Sequence, residues 1–174
     1  MIENFDTSFE QILKSEGGYA WDKDDLGGET NFGVTKQAWS EYLSRPIQDG
    51  EMKALTVDAV KPFYKKVFWD KLSCDSLPDG VDYAVFDFGV NAGAGRSAKF
   101  LQKAVEAVPD GAIGPATLGK VKAMDSADIL QSFSDQKTAF YNSIVKRNPT
   151  QQKFLKGWLN RVAHVQTAAS SMLA

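Results

Sequence analysis

Cysteine and histidine are almost missing: one of each, Cys74 and His164, in 174 residues. One cysteine excludes an internal disulfide framework, and one histidine excludes a histidine-built metal cluster. A Ser-His-Asp triad would have only His164 to draw on, and no GxSxG elbow accompanies it. Basic runs are absent too, none longer than two residues. With 20 basic against 22 acidic side chains, that balance argues against a nucleic-acid surface or a polybasic membrane anchor. No segment approaches the roughly 18 apolar residues of a membrane span. The opening MIENFDTSFEQILKSEGG lacks the basic and apolar blocks of a signal peptide. The expectation is a protein made in the cytoplasm, without stable membrane insertion, that reaches anything outside only through another component.

What is present is an ordinary globular balance, 43% hydrophobic and 24% charged, enough for one domain or two small lobes. Phe9, Ile12, Leu13 and Glu16 fall at i, i+3, i+4 and i+7, predicting a helix from Thr7 or Ser8 to Glu16, stopped by Gly17-Gly18. Thr30, Phe32 and Val34 alternate with Asn31 and Gly33, as in a short strand or hairpin. Thr35 caps a helix carrying Trp39 and Leu43, and the next helix carries Val60, Phe63, Tyr64 and Phe68, with a kink at Pro62. A turn at 76–80 precedes a buried segment, 81–93. Helices near 95–108, 115–123, 126–147 and 150–172 follow. The predicted fold is mostly α with a small β-hairpin, in two closely packed lobes.

One stretch does not fit a purely structural purpose. EGGYAWDKDDLGGET, residues 16 to 30, opens on Glu16 and crowds three aspartates and four glycines into a loop, although like charges repel and glycine costs entropy on folding. Asp22, Asp24 and Gly27 match positions 1, 3 and 6 of a calcium loop, but Leu26 stands at position 5 and Gly33 at position 12, where a bidentate carboxylate is needed. No metal or other cofactor is expected. A solvated turn capped by its own aspartates accounts for Asp22 or Asp24. Glu16 is different: on the apolar side of a helix, at its negative end, its charged form is disfavoured twice. Asp25, in a polar loop, should stay ionised. Two carboxyls with diverging pKa values suit glycoside hydrolysis, one protonating the leaving oxygen and the other steadying an oxocarbenium-like centre or its attacker; this is the division of labour of the well-known lysozyme pair. Thr30 adds a hydroxyl that could hold a water.

These residues carry a resemblance. EGGYAWDKDDLGGETNFGVT, residues 16 to 35, resembles the signature of glycoside hydrolase family 108, phage-type muramidases whose motif runs EGGY, D, D, GG, T, then G, an aliphatic residue and Thr. The resemblance implies a lysozyme-like fold and cleavage of the β-1,4 bond between N-acetylmuramic acid and N-acetylglucosamine. It places the catalytic acid on Glu16, the second acid on Asp25 and the threonine on Thr30, one residue nearer the glutamate than in phage lysozymes, so that Asn31 stands as an alternative. Tyr19 and Asp22 match positions that shape the loop and line the cleft.

VFDFGVNAGAGRSAKFLQKAVEAVPDGAIGPATL, residues 85 to 118, resembles the predicted peptidoglycan-binding region that follows this module. The expected division is 1–88 catalytic and 89–174 helical and wall-binding, with Asn91 either beside a sugar or ending a helix. Trp39, Trp69 and Trp158 read as core; Trp21, inside the acidic loop, is better placed to stack on sugar. The implied partner is peptidoglycan, met by a monomer, and the implied setting is phage lysis with a holin or wall opening by a bacterial muramidase. A lytic transglycosylase and a non-catalytic wall-binding module remain as alternatives.

Overall fold

A computed structural model describes residues 2–21 and 28–173. Among them are eight α-helices and one two-stranded hairpin. Helix α1, Ile2–Ser15, begins earlier than the predicted cap at Thr7 or Ser8. The reason is Phe5, which extends the buried stripe of Phe9 and Ile12 one turn back into the core. Glu16 N–H still donates to Ile12 O at 3.1 Å, so Glu16 sits on the last turn's edge.

The hairpin pairs β1, Thr30–Asn31, with β2, Val34–Thr35. Its two-residue turn is Phe32-Gly33, with φ of 50° and 76°. Positive φ at both central positions is the turn geometry that matches strand twist. Ala20 bridges to Thr30 through two 2.9 Å backbone hydrogen bonds, which pins both ends of the acidic loop together.

Helix α2, Lys36–Leu43, starts at Thr35, whose side chain accepts from Ala38 N–H as a cap should. Helix α3, Val57–Tyr64, runs through Pro62 and then widens into a π-helical turn, Lys65–Asp70. Helix α4, Val81–Ala92, is buried along its whole length from Val81 to Gly89. An all-round apolar helix must be enclosed, and α1, α5 (Ala94–Ala104), α7 (Ser126–Arg147) and α8 (Gln152–Ser171) all pack on it. Phe5, Trp69 and Phe86 form an edge-to-face cluster on one side, and Phe88, Phe100, Phe133 and Phe140 another beside it.

Helix α6, Pro115–Ala123, has proline in its first turn. The preceding turn is tied to α5 by Gln102, whose amide nitrogen donates to Asp110 Oδ1, Ala112 O and Thr117 Oγ1 while its oxygen accepts from Gly111 N–H. Leu101-Gln102 and the DGAIGPAT run at 110–117 are therefore one structural knot.

Candidate active site

Glu16 is where the hairpin, α3, α4 and α8 converge. Its side chain keeps 20% of its exposure. The hairpin turn lies directly on it: a Cβ added to Gly33 would stand 2.6 Å from Glu16 Oε2 and 2.7 Å from the Tyr64 hydroxyl. Tyr64, at the end of α3, donates to Phe32 O at 2.6 Å and so clamps the turn against the carboxyl.

On its other side Glu16 meets Arg161 of α8, Nη2 to Oε1 3.7 Å, an ion pair too long for a hydrogen bond. The same Nη2 donates to Asp87 Oδ1 of α4 at 2.9 Å. Arg161 is thus held by Asp87 and only leans toward Glu16. Burial pushes the Glu16 pKa up; Arg161 partly offsets this and the Asp87 charge adds to it. The net result is a carboxyl that keeps its proton to higher pH than a free glutamate. Lys137 of α7 is 3% exposed, over the rings of Phe88 and Phe133, and burial brings its pKa down to about 8 despite the Asp87 charge.

Thr30 is half-buried in β1, with Asn31 alone between it and the turn that touches Glu16. Tyr19 donates its hydroxyl to Glu29 Oε1 at 2.9 Å, and Lys36 holds the other oxygen of Glu29 at 3.0 Å, so Tyr19 braces the loop's flanks. Asn31 is 4% exposed and its amide donates to Met52 O at 2.9 Å, anchoring the hairpin. Asn91, one turn beyond Asp87 on α4, is exposed and donates to the Tyr141 hydroxyl at 2.6 Å. Trp21 is 59% exposed. Asp22 and Asp25 lie outside the described residues.

A carboxyl with a raised pKa, gripped between a glycine turn and an arginine, can act as a general acid. The comparisons with known proteins agree with that chemistry. The model of the family described as "Glycosyl hydrolase 108" matches residues 9–93. The chain belongs to that family. This family 108 hydrolase also matches, over residues 96–163, the family described as "Predicted Peptidoglycan domain". The solved structure of Brucella abortus SagA superposes with a TM-score of 0.87 at 34% identity, covering 99% of this chain and 97% of that one. No curated protein matches. The chain is a glycoside hydrolase acting on peptidoglycan.

Three members of the site escape sequence reasoning: Tyr64, Asp87 and Arg161. Tyr64 and Asp87 sit inside apolar helical stretches and read as core and as a stray charge. Arg161 is 145 positions from Glu16, and nothing in the local pattern around it announces the contact. Gly33 was visible as a motif position, but its reason, the Glu16 carboxyl against its Cα, is tertiary.

Proposed function

We propose that the protein is an N-acetylmuramidase that hydrolyses the β-1,4 bond between N-acetylmuramic acid and N-acetylglucosamine. The observation that carries this is the Glu16 carboxyl, packed against the Phe32-Gly33 turn, its pKa raised by desolvation. Glu16 gives that proton to the glycosidic oxygen as the bond from C1 breaks, so the leaving sugar departs as an alcohol. Asp25, between the paired residues Ala20 and Thr30, steadies the positive charge growing at C1 or directs the attacking water. Thr30 helps hold that water, which adds to C1 and leaves a reducing N-acetylmuramic acid end. Asp22 and Tyr19 shape the loop over the sugar, and Asn91 lines the cleft. No cofactor takes part.

The biological role we propose is that of a phage or prophage endolysin, acting as a monomer on the wall after release by a holin. Lysis of expressing cells only when a holin-type pore is co-expressed is the expected result; lysis without any pore would remove the holin from the scheme.

The chemistry is tested by mass spectrometry of fragments released from purified peptidoglycan. Wild-type protein should yield reducing N-acetylmuramic acid ends and Glu16→Gln none, with turnover down at least about a thousandfold for loss of the acid. Anhydro ends would make the protein a transglycosylase, and normal turnover by Glu16→Gln would remove Glu16 from the mechanism.

A further inference from the structure

The Glu16 site continues along α8. Arg161, Trp158 and Phe154 are spaced three and four residues apart and share one helix face, covering about 10 Å of axis. Facing them, α4 supplies Asp87 to Arg161 and, one turn on, Asn91 to the Tyr141 hydroxyl. The Tyr141 ring in turn stacks on Trp158, centroids 5.1 Å apart and planes 25° apart. Phe154 lies against Trp158 at 5.9 Å and 31°. Two rungs therefore join the helices, an ionic one at Glu16 and an aromatic one beyond it.

Exposure rises steadily outward along the aromatic rung. Tyr141 is 6% exposed, Trp158 is half-buried and Phe154 is 46% exposed. A single exposed apolar side chain is ordinary. This one is the end of a rigid stack whose base is buried. Over the Phe154 ring lies the Lys153 ammonium, 5.1 Å from the centroid, on a flexible and exposed side chain. Beside the stack, the exposed Asn91 amide uses its nitrogen on Tyr141, and its oxygen accepts no hydrogen bond among the described residues.

We propose that Phe154 and the edge of Trp158, with the Asn91 carbonyl, form a sugar-stacking subsite for the glycan strand on the far side of Arg161 from Glu16. The occupant is a β-1,4-linked N-acetylated aminosugar chain. Its pyranose ring offers a C–H face that packs on an aromatic ring, its acetamido N–H can donate to the Asn91 oxygen, and Lys153 can swing aside to bond its hydroxyls. All of these residues except Asn91 lie in the region, 96–163, that matches the predicted peptidoglycan family. The subsite rests on the muramidase reading for the identity of the strand, and it assigns the second half its share in holding that strand.

The test uses full-length Glu16→Gln protein, so that nothing is cleaved, titrated with peptide-free glycan strands of graded length while Trp fluorescence and calorimetry are recorded. Adding Phe154→Ala should weaken binding of long strands about five- to tenfold and flatten the gain in affinity from short to long. Adding Val108→Ala, which removes an apolar side chain 77% exposed elsewhere on the surface, should change nothing. Unchanged long-strand affinity in the Phe154→Ala protein overturns the subsite, as does an equal loss at Val108. If Phe154-dependent binding is found but wild-type protein releases no fragments, the muramidase reading fails and the subsite stands. Cleavage by the wild type with no Phe154 dependence removes the subsite alone.

Discussion

At the residue scale, the balance of charges around Glu16 is what the pH profile should report. In the proposed mechanism the reacting form is the protonated carboxyl, so kcat/KM is expected to fall as pH climbs through the Glu16 pKa. Arg161 lowers that pKa and Asp87 raises it. Arg161→Gln therefore moves the alkaline limb to higher pH, while Asp87→Asn removes a like charge, frees the guanidinium for Glu16 and moves the limb to lower pH. Limbs that coincide with the wild type in both variants would show that Glu16 titration does not govern the profile. Melting curves must accompany the Arg161→Gln profile, because the Asp87 side chain is 5% exposed and leaving it without the guanidinium costs about 3–5 kcal/mol.

At the element scale, the hairpin is a positioning device. Two residues per strand cannot be stable alone; the hairpin stands because Ala20 pairs with Thr30, Asn31 anchors to Met52 and Tyr64 holds the Phe32 carbonyl. Gly33 is the point of contact with the acid. Gly33→Ala should cost about 1–3 kcal/mol from the left-handed backbone and, more tellingly, displace the carboxyl its Cβ would meet at 2.6 Å. The expected result is a modest fall in melting temperature with turnover down at least about tenfold. Full turnover in a folded Gly33→Ala protein would show that the turn does not position Glu16. Much of this element was legible beforehand: the alternation over 30–34 predicted a strand or hairpin, and Thr35 predicted the next cap. The hydrogen bond from Asn31 to Met52 is not written in that alternation, because a buried amide and a ligand-facing one look alike until the Met52 carbonyl is placed beside it.

At the scale of the whole molecule, the two matched regions meet at the corner between α4 and α5, near Gly93, and residue 88 lies within α4. Yet α4 is enclosed by helices from both regions, and Arg161 from the last helix reaches Glu16 at the end of the first. Pieces 2–93 and 94–173, produced separately, should each lack a cooperative melting transition, because either cut face exposes the apolar surface around α4. A sharp transition in the second piece alone would make it an independent domain. The same enclosure explains why α4 reads in sequence as a continuous apolar stretch with only Asp82 and Asp87 as charges at its core.

Helical periodicity, caps and turns, the family signature and Glu16 as the unusual carboxyl are all legible in the chain alone, since each is written in residues close together in it. What surrounds that carboxyl is set by the packing of distant segments. The Gly33 turn, the Tyr64 clamp, the Arg161–Asp87 pair and the aromatic rung beyond them come from five segments spread between residues 32 and 161. Desolvation and Coulomb interactions depend on distance in space, and no local pattern encodes which distant side chain will be 3 to 4 Å away.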